Sequence, residues 1–149
     1  MVWGCMTSKG IGYLTKIDGG LDSAMYCDIL KGELRQTIEF YGLEDFVFQH
    51  DNDPKHTARV TQACIAENNL EVLQWPAQSP DLNPIEYMWH VLKQKLGDHE
   101  LMPTSMHELW LRVQHEWESI NVDDCMKLIE TMPKRLEAVM KAKGGNTKY

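Results

Sequence analysis

A chain of 149 residues, 43% hydrophobic and 25% charged, with 10 glycines and 6 prolines dispersed along it, has the size and composition of one globular domain with a real core. That excludes disordered, collagen-like and fibrous classes, and no apolar run approaches the roughly 20 residues that span a bilayer. Lys plus Arg number 15 against 22 Asp plus Glu, a net charge of −7 that argues against a surface attracting nucleic acid everywhere. The balance is uneven: from Lys134 onward five cations face Glu137 alone, a local +4 that leaves −11 on the first 133 residues.

The opening Met1-Val2-Trp3-Gly4-Cys5-Met6 is apolar but short and lacks a basic flank, so it is not a secretory signal. Cys5, Cys27, Cys64 and Cys125 are widely spaced in apolar stretches with no C-x-x-C pair, which reads as buried thiols in a reducing, intracellular compartment.

In chain order, residues 2–6 and 11–17 are rich in β-branched and aromatic residues around Ser8-Lys9-Gly10, predicting a hairpin. Asp22 or Ser23 caps a helix whose apolar positions Tyr26, Leu30, Leu34 and Ile38 recur every four residues. Phe46-Val47-Phe48 predicts a short buried strand that delivers Gln49-His50-Asp51-Asn52 at its carboxyl end. Residues 56–69 are helical, with Val60, Ala63, Cys64 and Ala66 for an inner face, and Val72-Leu73-Gln74-Trp75 is another strand closed by Pro76.

The proline-studded residues 76–84 form a stiff loop. Asn83 and Pro84 then open a helix with Ile85, Trp89, Leu92 and Leu96 on one stripe. Leu109, Val113, Trp117 and Ile120 mark another helix, and Cys125, Met126, Ile129, Leu136 and Val139 a last helical region. Pro133 divides that region, as a kink or as the start of a new helix after Thr131. Strands interleaved with helices predict an α/β layer with a mixed sheet, the first two strands antiparallel and the later ones parallel.

Ligands of open α/β sheets gather at the carboxyl ends of strands, where Asp51 stands, and the loop after the next strand leads to Glu86. Two such carboxylates suit Mg²⁺, whose typical site combines one or two carboxylates with water and phosphate oxygens, and so point to phosphoryl transfer. Structural roles compete. Glu86 sits three residues after Asn83, where a glutamate reaches back to a helix cap. Asp51-Asn52-Asp53-Pro54 has turn chemistry, and His56 is a surface residue at a helix start, a metal ligand or a phosphate contact. Trp75, Trp89, Trp110 and Trp117 fit a core better than base stacking, and Lys141-Ala142-Lys143 fits a solvated tail. The P-loop, dinucleotide, nucleophile-elbow and H-E-x-x-H patterns are absent, so spacing alone leaves the function open.

The stretch Gln49-His50-Asp51-Asn52-Asp53-Pro54-Lys55-His56-Thr57-Ala58, followed by Trp75-Pro76-Ala77-Gln78-Ser79-Pro80-Asp81-Leu82-Asn83-Pro84-Ile85-Glu86, closely resembles the endonuclease domain of Tc/mariner superfamily transposases. Asp51 and Glu86 match the second and third members of that family's catalytic acid triad, with 34 residues between them and the final Glu of the Tc branch. Met1-Val2-Trp3-Gly4-Cys5 resembles the family's second-strand motif, and Lys143-Gly144-Gly145-Asn146-Thr147-Lys148-Tyr149 its usual carboxyl end.

The resemblance implies an α/β, ribonuclease H-like fold, a mixed sheet with flanking helices and strand order 3-2-1-4-5. It spans 1–149 as one endonuclease domain truncated at its amino end, helical from about residue 84, and lacking the family's first, central strand. The strands at 2–6 and 46–48 are then expected either to pair directly or to leave the chain poorly folded. The family's first catalytic Asp and its DNA-reading modules precede the Val-Trp-Gly motif. The resemblance therefore implies metal-dependent phosphodiester cleavage and strand transfer, weak or inactive in this chain, or alternatively a non-catalytic remnant that binds nucleic acid or another protein.

It further implies two Mg²⁺ or Mn²⁺ ions in the intact site, with Asp51 and Glu86 as catalytic and metal-holding residues. The partners it implies are transposon-end and target DNA and another copy or a full-length transposase, with nuclear residence and no membrane. Lys55, His56, Arg59, Lys141 and Lys143 are the candidate DNA contacts, since helix-start donors and positive charge both suit phosphate.

Overall fold

The computed structural model describes every residue except Trp75, Ala77, Gln78, Asn146, Lys148 and Tyr149, together with all side chains of the rest but that of Asp81. The chain forms two compact units: Met1–Gly4 with Gly12–Ser79, and Cys5–Ile11 with Pro80–Tyr149.

The chain opens with the hairpin β1 (Val2–Thr7) and β2 (Gly10–Lys16), the only sheet among the described residues. Its two-residue turn is held by Thr7: Lys9 N–H donates to Thr7 Oγ1 at 3.0 Å, and the same hydroxyl donates to the Gly10 carbonyl at 3.2 Å. Gly10 has φ 137°, a backbone that side chains with a Cβ rarely adopt. At the open end, Ile17 N–H donates to the Met1 carbonyl at 2.8 Å.

In the first unit one helical run follows the hairpin: α1 (Ser23–Ile29), a π-helical turn over Leu30–Leu34, and α2 (Arg35–Tyr41). Asp22 caps it, accepting from Met25 N–H at 2.8 Å, and Gly42 ends it with φ 54°. Residues spaced four apart drift off the face of a 3.6-residue helix. The π turn, with its i→i+5 pairing, takes up that drift and keeps Tyr26, Leu30 and Leu34 together in the core. Ile38 is only half-buried, and Thr37 takes the inward place instead. Its hydroxyl donates to the Glu33 carbonyl at 2.8 Å and accepts from Tyr13 N–H at 3.0 Å, so a buried hydroxyl is satisfied while joining α2 to β2.

The two later strands contract to one parallel bridge, Phe48 with Val72, made by Phe48 N–H to the Glu71 carbonyl at 2.7 Å and Leu73 N–H to the Phe48 carbonyl at 2.8 Å. The parallel sense agrees with the expectation; the extent does not. With pairing on one side only, Phe48 alone is buried while Val47 is half exposed. The sheet contains β1 and β2 and no third strand, so β1 and residues 46–48 do not close up into a direct pair. The expected strand residue Trp75 lies outside the described residues.

Between the bridge partners, α3 (Pro54–Thr57) and α4 (Arg59–Glu67) are separated at Ala58, where ψ swings to 148°. That break turns α4 relative to the expected register. Thr61 and Cys64 face inward against α1, and Val60, Ala63 and Ala66 are exposed. The buried Thr61 hydroxyl donates to the Lys55 carbonyl at 2.7 Å, an acceptor left open by the break.

The second unit is helical apart from the hairpin tip: a 3₁₀ turn (Pro80–Leu82), α5 (Pro84–Gly97), α6 (Met106–Glu118), α7 (Val122–Glu130) and α8 (Met132–Lys141). Pro133 falls in the first turn of α8, so it starts a new helix rather than kinking one. α5 packs against α6, and the buried residues of this unit include Met88 and Leu92 of α5, Val113 and Trp117 of α6, Ile120, and Cys125 and Leu128 of α7. Trp89 stacks on Trp117, ring centroids 5.0 Å apart and planes 24° apart. Met126 and Leu136, two of the apolar positions that mark this region, are exposed, and Arg135 is buried, its Nε donating to Thr131 Oγ1 at 2.9 Å.

All four cysteines are free thiols, with Cys27, Cys64 and Cys125 buried. Because Trp117 is almost wholly enclosed, Trp117→Ala should cost about 3–5 kcal/mol, read as a lower urea midpoint with an unchanged slope.

Candidate functional site

Asp51 lies three residues beyond Phe48, so the bridge fixes where the following loop begins. The loop has the turn chemistry its sequence promises: Asp51 Oδ1 accepts from Asp53 N–H at 3.1 Å, and Asp53 Oδ1 caps α3 by accepting from Lys55 N–H at 3.0 Å. That chemistry does not consume Asp51. Its side chain is 56% exposed, and both bonds it accepts, from Asp53 N–H and from His56 Nδ1 at 2.6 Å, fall on Oδ1.

His56 is not a surface residue. Its side chain is only 13% exposed, its ring lies 4.1 Å from that of Tyr26, and it stacks on His50 with centroids 5.3 Å apart and planes 10° apart. Tyr26, buried in α1, bonds His50 Nδ1 through its hydroxyl at 2.9 Å. Burial drives the His50 pKa down to about 4, neighbouring His56 pushes the same way, and Asp51 opposes both. Tyr26 and His50 were not singled out from the sequence. Tyr26 passes as one more core position, and only the helix packing reveals its second role. The signal that was available is a pair of histidines six apart flanking an Asp.

Lys55, the next candidate, pairs with Asp53 at 2.5 Å, and this cation holds the Asp53 carboxyl below its ordinary range. Arg59, at the start of α4, is exposed, as are Lys141 at the end of α8 and Lys143 beyond it. The tail residue Lys148 and the motif residues Trp75, Ala77 and Gln78 lie outside the described residues.

Glu86 belongs to the second unit, in the first turn of α5. Asn83 makes no side-chain capping bond there, and the Glu86 side chain is exposed, with no hydrogen bond among the described residues. The same unit shows what a capping glutamate looks like. Ser105 Oγ accepts from Glu108 N–H at 3.1 Å, while Glu108 Oε2 accepts from both the Thr104 N–H and its hydroxyl at 2.7 Å, and Arg112 pairs with Glu108 Oε1. Those bonds, the Thr104 N–H first, hold Glu108 down at about 2. Glu86 stands at the same offset from its helix start with none of them, so the capping role is not what places it there.

No group of three metal-binding side chains occurs among the described residues. What Asp51 and Glu86 offer is the donor chemistry of a hard cation: exposed carboxylate oxygens not committed to the protein's own scaffold. No helix of the described residues is long and apolar enough to cross a membrane.

Residues 1–109 match the family of DDE superfamily endonucleases. Over its whole length the chain is 38% identical to the transposable element Tcb1 transposase of Caenorhabditis briggsae, and spans 54% of that relative. Among solved structures, the Mos1 transposase catalytic domain with raltegravir and Mg superposes at a TM-score of 0.86 and 22% identity, over 99% of this chain and 76% of that one. The Mos1 paired-end complex with left transposon end does so at 0.85 and 25%, over 99% of this chain and 44% of that one. These likenesses bear out the ribonuclease H-like fold.

The Glu108 cap carries its own expectation. A carboxyl whose folded pKa lies below its ordinary 4.5 adds stability that is present above pH 4.5 and lost as the pH falls towards 2. The gap in melting temperature between the unaltered chain and Glu108→Gln should therefore narrow over that window.

Proposed function

Because the chain belongs to the DDE superfamily endonucleases, in their Tc/mariner transposase branch, we propose that it supplies the endonuclease part of a DNA transposase, cutting phosphodiester bonds at transposon ends. The chain spans about half the length of the curated relatives it matches, so this activity is inferred for the protein to which such a domain belongs. The observation that carries it is the state of the two carboxylates. Asp51 and Glu86 occupy the motif positions of the family's second and third catalytic acids, and both are exposed: among the described residues Asp51 keeps Oδ2 free of hydrogen bonds while Oδ1 is held by Asp53 N–H and His56, and the Glu86 carboxylate makes no hydrogen bond.

In this reading Asp51 and Glu86 hold divalent metal, Mg²⁺ or Mn²⁺, two ions in a complete site. Bound there, the metal supplies Lewis-acid activation of the attacking oxygen and charge stabilisation at the leaving one. The chain's own groups do the rest. Asp51 presents a carboxylate anchored through one oxygen, and Glu86 presents one from the first turn of a rigid helix. Arg59, Lys141 and Lys143, exposed and without carboxylate partners at salt-bridge distance among the described residues, are placed to meet DNA phosphates. Lys55 and His56 are less available to DNA, being engaged by Asp53 and Asp51. Pairing with another copy or a full-length transposase, and residence in the nucleus, belong to the same proposal.

The test is Mn²⁺-dependent nicking of transposon-end DNA. Asp51→Ala and Glu86→Ala should each lower the rate by roughly 100-fold or more, the scale of losing one transition-state electrostatic contribution. Nicking that survives both substitutions would overturn the assignment. DNA binding should weaken uniformly across sequences on replacing Arg59, Lys141 or Lys143 by Ala, each change reducing the salt dependence of log K by about 1.

A further inference from the structure

We propose that His56 is a positioning residue for Asp51, its Nδ1–H holding Oδ1 so that Oδ2 is the atom presented to a divalent cation. The inference rests on the reading of Asp51 as a metal-holding carboxylate and goes beyond it by assigning the group that orients it.

Three observations carry it. First, the bond is short, 2.6 Å, and an ionised carboxylate can only accept, so Nδ1 carries the proton. Second, His56 Nε2 is buried and has no hydrogen-bond partner, so a proton there would be an unsatisfied donor. The ring is thus set in one tautomer, aimed at Asp51. Third, the ring cannot turn away freely: Tyr26 packs against it at 4.1 Å and His50 stacks on it at 5.3 Å, while His50 is itself tied to the Tyr26 hydroxyl.

The Asp53 N–H reinforces the arrangement by donating to the same Oδ1. Oδ2 accepts no bond among the described residues. An exposed aspartate on a loop would otherwise sample its rotamers in water; here one oxygen is held by two donors and the other is left without a hydrogen bond among the described residues. Outer-sphere partners of this kind orient metal-ligating carboxylates and typically govern 10–100-fold in metal affinity.

The test uses the 149-residue chain and Mn²⁺ alone, titrated by electron paramagnetic resonance, so it does not depend on cleavage. Asp51→Asn should abolish the tightest Mn²⁺ site. His56→Ala should weaken that site by about 10–100-fold, and His56→Asn, whose side-chain amide N–H can stand near the place of Nδ1, should recover most of the loss. If Asp51→Asn removes the site while His56→Ala leaves it unchanged, the positioning role is wrong and the reading of Asp51 stands. If Asp51→Asn changes nothing, that reading fails and takes this one with it. Long-range ¹H–¹⁵N spectra of the unaltered chain give an answer that needs no variant: a proton on Nδ1 and a bare Nε2 are expected, and the opposite tautomer overturns the proposal.

Discussion

A phenol hydroxyl cannot be buried without a partner, and in this protein that constraint falls on Tyr26. The residue is almost fully enclosed, its ring packs on His56 and its hydroxyl bonds His50. Two histidines from either side of the Asp51 loop are thereby fastened to a helix that belongs to the hydrophobic core. The order around Asp51 is inherited from helix packing: Asp22 caps α1, the π turn keeps Leu30 and Leu34 beneath it, Cys64 of α4 packs against it, and the loop takes its shape from what α1 presents. An exposed carboxylate is made orderly by a buried ring.

Much of this fold is legible in the residues because local chemistry and global need coincide. Ser8-Lys9-Gly10 turns the hairpin, Asp22 caps, Asn83-Pro84 starts α5, and Val113 and Trp117 face inward as their spacing requires. The misplacements share a cause. Val60, Ala63 and Ala66 look like an inner face only if α4 continues unbroken from His56; the break at Ala58 hands that face to Thr61, a polar residue that pattern counting passes over. Phe46-Val47-Phe48 has strand composition, but strand length depends on neighbours that composition does not report, and only Phe48 finds one. Thr37 and Arg135 are likewise buried polar residues that pattern counting passes over: each bonds an oxygen four residues earlier, the Glu33 carbonyl and the Thr131 hydroxyl, and Thr37 also accepts from Tyr13 N–H of β2, a partner that only the fold supplies.

The site divides the same way. Asp51 and Glu86 stand out through motif and spacing, and the structure refines what each does locally. Asp51 combines the turn role with an oxygen left over. Glu86 declines the helix-capping role that Glu108 accepts at the same offset. The pairing of Tyr26 with His50 was not legible, since a core tyrosine and a loop histidine become partners only once α1 is in place. The charge of −7 is also unevenly spent: Asp51 and Glu86 are exposed carboxylates, and Arg59, Lys141 and Lys143 are exposed cations.

The break at Ala58 has an evolutionary side. It separates a four-residue turn, which carries Lys55 and His56, from a nine-residue helix whose outer positions Arg59, Val60, Gln62, Ala63 and Ala66 face solvent. The hydrogen bond from the Thr61 hydroxyl to the Lys55 carbonyl spans that break. A lineage can therefore rewrite the outer face of α4, adding or removing charge, without disturbing the imidazole behind Asp51. The surface is free to drift while the turn beside it is held still.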